Sequence, residues 1–135
     1  MDERGGRRFA GRADQVGPAR RFVAAALPPG STARELTGLL VSEAATNAVL
    51  HSRSSRDGSF VVAYHLTDGC LRVEVRDAGG PTDPRPRLHH LESLTGRGLE
   101  LFQALASRWG AEGGPDGRLV WFELDLHDAE VGGWS

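Results

Sequence analysis

The sequence predicts an α+β fold in which helices cover one face of a mostly antiparallel sheet. Helical periodicity covers residues 14–27 and Thr32–His51, and strand-like runs follow over residues 59–67 and Cys70–Asp77. Asp68-Gly69 separates the two runs, and a two-residue connection of this type is typical of a hairpin. Helices followed by antiparallel strands predict a two-layer α/β sandwich.

The second half of the chain completes this pattern after a long connection. Residues 78–95 hold three prolines and show no regular periodicity, so they are expected to form a binding loop or lid. A helix over residues 98–107, a short strand near Trp109 and a strand over residues 118–126 follow.

One domain accounts for the chain, because 135 residues can bury a sizeable core. We expect it to cover residues 9–126, with flexible tails at 1–8 and 127–135 and a short edge strand where Arg-Arg-Phe-Ala-Gly occurs. The net charge of −2 gives no reason to expect nucleic acid or an anionic membrane as partner. No apolar run reaches the length of a membrane span and the N-terminus lacks a signal-peptide pattern, so a cytoplasmic location is expected.

Two absences in the composition exclude classes of chemistry. All sixteen basic residues are arginine, which excludes a P-loop lysine and a Schiff-base mechanism. Cys70 stands alone, so an internal disulfide and every Cys-x-x-Cys motif are excluded.

The second predicted helix carries a line of polar side chains. Glu43, Asn47 and His51 follow one another at steps of four, which places them on one face. Leu36, Leu40 and Leu50 share that side of the helical wheel, so the polar line is expected to point into a protected space. Buried polar groups need partners, supplied either by an internal network or by a ligand, and the pattern favours the ligand.

The hairpin ends in a carboxylate that has the parity of its apolar residues. In Cys70–Asp77, Asp77 points to the same side as Val73 and Val75. A turn former is one interpretation of an aspartate at this position. The alternative is a site for an exocyclic amine, because the carboxylate accepts N–H bonds and Gly79 and Gly80 allow close approach.

The third predicted helix begins in a glycine-rich segment, Thr95-Gly96-Arg97-Gly98-Leu99. The unpaired N–H groups and the positive dipole end of such a helix start favour an anion. The segment does not follow a strand, so the dinucleotide-binding fingerprint is excluded.

Taken in order, these three features resemble the GHKL (histidine kinase-like) ATP-binding family, and within it the small actinobacterial serine kinases that act as anti-sigma factors. Residues 43–51 (EAATNAVLH) are similar to the N box, residues 77–80 (DAGG) to the first glycine box and residues 95–99 (TGRGL) to the second. The resemblance covers about residues 9–126, and it implies the two-layer α/β sandwich of the Bergerat type.

The resemblance implies ATP and Mg²⁺ as cofactors and a role for each motif residue. Glu43 would be the general base toward a serine hydroxyl, and Asn47 would coordinate the Mg²⁺ that bridges the phosphates. Asp77 would accept the adenine amino group, with Gly79 making room for the ring. Residues 80–95 would form the ATP lid. The phosphates would be held by Gly96, Arg97 and Gly98, and Leu99 would complete the nucleotide-binding residues.

The implied partners are a STAS-domain anti-sigma antagonist as the phosphorylated protein, a sigma factor, and a second copy of the chain in a homodimer. One departure is Pro81, which replaces the second glycine of the first box and stiffens the base of the lid. Two alternatives stay open: a nucleotide-binding regulatory module without useful kinase activity, and the detached catalytic domain of a sensor histidine kinase.

Overall fold

A computed structural model describes residues 2–51, 58–77, 98–114 and 117–126 of the chain. These residues form a five-stranded sheet covered by helices. The strands are β1 (Glu3–Ala10), β2 (Ser59–Leu66), β3 (Cys70–Asp77), β4 (Arg108–Gly114) and β5 (Gly117–Asp125). The helices are α1 (Val16–Ala24), α2 (Thr32–His51) and α3 (Gly98–Leu105), with a 3-10 turn at Ala13–Gln15 before α1.

The strand order is β1-β2-β3-β5-β4, and every neighbouring pair is antiparallel. The predicted α+β class and the predicted hairpin are therefore confirmed. Along β3 and β5, alternate residues are buried, as expected for a sheet that packs its core on one face. That face holds Val73, Val75 and Asp77 on β3, so the parity predicted for Asp77 is confirmed.

Helix α2 is the centre of the helical layer. It packs against α1 on one side, against β3 beneath it, and against α3. Gly38 marks the flank that faces α1, since a Cβ there would lie 3.3 Å from the Arg20 side chain. Phe60, Phe102 and Phe122 are the largest fully buried side chains of the core between the two layers.

The helix is largely buried, as predicted, but the wheel placed one of its leucines wrongly. Leu40 is fully buried, whereas Leu50 keeps 50% of its surface exposed. The exposed side of α2 consists of Glu35, Leu39 and Leu50, so two leucines face solvent. In the described part of the chain, no helix combines the length and apolar character needed to cross a membrane.

The prediction that residues 1–8 form a flexible tail is wrong for residues 3–8. Strand β1 pairs with β2 along its whole length, from Glu3 opposite Leu66 to Ala10 opposite Ser59. The full length of the strand was not predicted because its two glycines and four charged residues interrupt the apolar alternation that is typical of a strand. Residues 127–135, predicted as the other tail, lie outside the described residues.

Thr32-x-x-Glu35 has the pattern of a capping box, which predicts Thr32 as the cap of α2, but the observed cap lies one residue earlier. Ser31 is the capping residue: its Oγ accepts the N–H of Arg34 at 3.1 Å and donates to the Pro28 carbonyl at 2.8 Å. Serine satisfies a helix N-terminus as well as threonine does, so the sequence allowed both positions. Gly30, at φ +78°, makes the left-handed turn that leads into the cap.

Candidate functional site

The polar line of α2 passes from the solvent edge of the helix toward its buried side. Glu43 is half-buried, whereas Asn47, one turn later, keeps only 1% of its surface exposed. Asn47 follows Gly38 by nine residues, which at about 100° per residue places it half a turn away. It therefore lies on the flank of α2 that points away from α1.

The Asn47 side chain has an unmet hydrogen bond. Its Oδ1 is buried and has no hydrogen-bond partner. A buried amide oxygen without a donor costs free energy, about 1–3 kcal/mol in proteins, unless a ligand supplies the partner. Amide oxygens are ligands for hard cations such as Mg²⁺, so this atom fits a role toward a metal–phosphate group.

A complete metal cage made of side chains is not found among residues 2–51, 58–77, 98–114 and 117–126. No group of three or more His, Cys, Asp and Glu side chains in them could hold a metal ion. Mg²⁺ is commonly bound by one or two protein ligands together with substrate phosphates and water. Asn47 fits that mode of binding, in which the nucleotide supplies most of the ligands.

Asp77 ends β3 with its carboxylate buried against an arginine that the sequence did not single out. The Arg118 Nε donates to Asp77 Oδ1 at 3.0 Å, and the two side chains are 1% and 4% exposed. The two residues face each other across the β3–β5 register. The turn-former interpretation of Asp77 does not explain this burial.

A signal for Arg118 was present in the sequence. Within Gly117–Asp125, Arg118 has the parity of Val120 and Phe122, which are both buried. An arginine at a core-facing position of a strand requires a carboxylate partner, and Asp77 is the carboxylate with matching parity on β3.

Burial and the ion pair act in opposite directions on Arg118. Desolvation lowers the pKa of its guanidinium, and the hydrogen bond and charge of Asp77 partly offset that effect. Arginine stays protonated in proteins, so the pair remains a cation beside an anion. Both Nη atoms of Arg118 are buried without a hydrogen-bond partner.

The remaining predicted site residues lie either at the start of α3 or outside the described residues. Gly98 and Leu99 are the first two residues of α3, which packs against α2 and so places the helix start in the same layer as Asn47. The other predicted residues, Gly79, Gly96 and Arg97, lie outside the described residues. So do Pro81 and the predicted lid at residues 80–95.

Comparison with known proteins agrees with this architecture. Residues 9–124 match the model of the histidine kinase-like ATPase domain. The chain belongs to this family. Membership confirms the resemblance to the GHKL family and, at the level of that family, an ATP-using domain. No curated protein matches the chain.

A solved structure supports the fold of this family member. The histidine kinase domain of a blue-light activated histidine kinase from Erythrobacter litoralis EL346 superposes with a TM-score of 0.62 at 22% identity. The match covers 91% of this chain and 64% of that structure, so the chain spans less than two thirds of the matched domain. At this identity the likeness concerns the fold alone.

Proposed function

We propose that the protein binds Mg-ATP between α2 and the end of β3 and transfers the γ-phosphoryl group to a serine of a STAS-type antagonist, acting as an anti-sigma factor. The observation that carries the nucleotide part is the Asn47 amide oxygen, buried without a partner in a chain of the ATPase family. The serine substrate, the STAS partner and the sigma factor rest on the resemblance of residues 43–51, 77–80 and 95–99 to the boxes of anti-sigma kinases.

In this proposal each residue has a separate task. Mg²⁺ would neutralise phosphate charge during transfer, and Asn47 would hold it through Oδ1. Glu43 would accept the proton of the attacking serine hydroxyl as its oxygen bonds to the γ-phosphorus and ADP leaves. The half-buried position of Glu43 suits this task, because a base must reach both the nucleotide and a serine that arrives from solvent.

The first experiment is an ATP titration by calorimetry, with and without Mg²⁺, on wild type and Asn47→Ala. Wild type should bind ATP in a Mg²⁺-dependent manner, and Asn47→Ala should lose that dependence. Thr46→Ala, on the same turn of α2, is the matched control and should bind like wild type. Mg²⁺-dependent binding that survives in Asn47→Ala would refute the role of this side chain.

The second experiment tests catalysis with a STAS-domain protein as acceptor. Glu43→Ala should reduce the phosphotransfer rate by about 10²- to 10⁴-fold while leaving ATP binding intact. Glu35→Ala removes an exposed carboxylate two turns earlier on the same helix and should not change the rate. The phosphorylated product should withstand acid, as phosphoserine does and phosphohistidine does not. Full activity of Glu43→Ala would remove its catalytic role.

A second function is favoured by one contact. Arg118 hydrogen-bonds to Asp77, the carboxylate proposed to accept the adenine amino group. A protein in which this bond kept Asp77 from the base would serve as a binding module without useful turnover. Partner binding that is unaffected by ATP and by Glu43→Ala, with no phosphotransfer, would identify that function.

A further inference from the structure

Arg118 presents more hydrogen-bond donors than the fold uses. A guanidinium has five N–H groups, and Nε makes the 3.0 Å bond to Asp77. Both Nη atoms are buried without a partner, in a residue that is 2% exposed. The bond to Asp77 therefore leaves both Nη groups of Arg118 without an acceptor, although the side chain is closed off from solvent.

The position of the Arg118 Nη groups indicates which kind of ligand atom could accept a hydrogen bond from them. Arg118 and Asp77 both project from the sheet toward the helices, at the end of β3 where the base is proposed to bind. The Nη groups lie in the guanidinium plane beside the carboxylate. A ligand amino group bound to Asp77 would thus have its neighbouring atoms within the reach of these donors.

We infer that Arg118 is a base-reading residue: it donates from Nη to the adenine ring nitrogen that flanks the amino group held by Asp77. Adenine offers an acceptor on each side of its amino group, N1 and N7, so one Asp–Arg pair can read a donor and an adjacent acceptor together. This deepens the proposed nucleotide site and rests on it. The inference gives the buried Nη groups of Arg118 an acceptor, which they lack in the protein alone.

The test compares ATP with 1-deaza-ATP and 7-deaza-ATP, in which N1 or N7 is replaced by a C–H group. One analogue should bind wild type about 10- to 100-fold more weakly than ATP, as expected for the loss of a hydrogen bond from a charged donor. Arg118→Met removes the donors and keeps much of the volume, so it should bind ATP and that analogue with nearly equal affinity. Arg76→Met, at an exposed position on the opposite face of β3, is the matched control and should discriminate like wild type.

The outcomes separate this inference from the proposed function. Failure of wild type to bind ATP would overturn both. ATP binding with equal affinity for all three nucleotides would overturn only the role of Arg118, and so would discrimination that persists unchanged in Arg118→Met. The comparison of the three nucleotides uses wild-type protein, so it shows whether a ring nitrogen is recognised even if Arg118→Met does not fold. Arg118→Lys then replaces it: this variant keeps the charge beside Asp77, loses the planar donor pair, and should discriminate less than wild type.

Discussion

At the scale of single residues, the buried ion pair between Asp77 and Arg118 changes how the candidate site must be tested. Removing the carboxylate leaves a cation with 1% exposure and no counter-charge. A substitution meant to probe base binding would therefore also unfold part of the population. Asn47 does not have this complication, because the atom of interest has no partner to lose.

The first prediction follows from that pair. Asp77→Asn should lower the free energy of unfolding by about 3–5 kcal/mol, since it leaves the guanidinium of Arg118 buried and unpaired. Urea denaturation measures the change. Asp14→Asn makes the same chemical change in a solvent-exposed ion pair, with Arg12 at 3.2 Å, and should cost no more than about 1 kcal/mol. The double variant Asp77→Asn/Arg118→Met should recover part of the loss, and purely additive losses would contradict the pairing.

Site residues whose placement follows from local periodicity could be predicted from the sequence, whereas those whose placement depends on tertiary contacts could not. Asn47 and Asp77 lie where helical spacing and strand parity predicted, because both periods are geometric. Arg118 was missed because its partner is 41 residues away, and pairing across a sheet follows from strand order rather than from local pattern. The exposure of Leu50 was missed for the same reason, since the flanks covered by α1 and α3 are a tertiary property.

At the scale of elements, the β2–β3 hairpin forms where the sequence predicted it, but the local interactions that close its turn differ from those that the prediction assumed. The β2–β3 hairpin was predicted from Asp68-Gly69, yet the only glycines with positive φ among the described residues are Gly30 and Gly113. Thr67 closes this turn instead, with its N–H and its Oγ1 both donating to the Cys70 carbonyl at 2.9 and 3.1 Å. Sequence thus predicted the connection, and side-chain hydrogen bonding determined its form.

A second prediction concerns the cap of α2. Ser31→Ala removes the acceptor for the Arg34 N–H and should lower the free energy of unfolding by about 1 kcal/mol, within a range of about 0.5–2 kcal/mol. Thr32→Ala, at the position where the sequence placed the cap, is the matched control. A larger loss for Thr32→Ala than for Ser31→Ala in urea denaturation would mean that the capping box was predicted correctly after all.

A third prediction concerns the β4–β5 hairpin, which delivers Arg118 to the site. Gly113 has φ +106°, and a Cβ added there would lie 2.1 Å from the Gly117 carbonyl oxygen and 2.8 Å from the Arg118 Cα. Backbone must move to relieve that clash, so Gly113→Ala should cost about 1–3 kcal/mol or more. It should also weaken ATP binding by displacing Arg118. Gly69→Ala, with no atom within 4 Å of its Cβ, should be tolerated, and equal effects of the two would contradict this assignment.

At the scale of the whole molecule, the edge strand of the sheet is longer than the sequence indicated. The four strands β2 to β5 were predicted within the domain, and the additional edge strand was expected to be short. Its eight residues pair fully with β2, and Phe9 stacks on Phe60 with ring centroids 5.5 Å apart. The N-terminal segment therefore belongs to the cooperative unit that supports α1 and α2, and through them the candidate site.

The fourth prediction tests that unit by deleting residues 2–8. Loss of the β1–β2 pairing should lower both the free energy of unfolding, on the order of 1–3 kcal/mol, and the urea m-value, because less surface is buried. The pKa of Tyr64 is an independent measure of the β1–β2 pairing, and its titration can be followed without overlap because it is the only tyrosine in the sequence. Burial and the hydrogen bond to Glu3, at 3.1 Å, raise its pKa above the ordinary value of 10.0. Deletion should return the pKa toward that value, measured by tyrosinate absorbance.

The control for the deletion is Glu3→Gln, which keeps the strand and removes only the charge beside Tyr64. It should lower the Tyr64 pKa part of the way and leave the m-value unchanged, since desolvation, the larger cause of the shift, persists. A deletion variant with wild-type stability and m-value would show that residues 3–8 are the flexible tail that their composition suggested. A fall in both, together with the fuller pKa change, would show that β1 unfolds in one cooperative unit with the rest of the sheet and with α2, which carries Asn47.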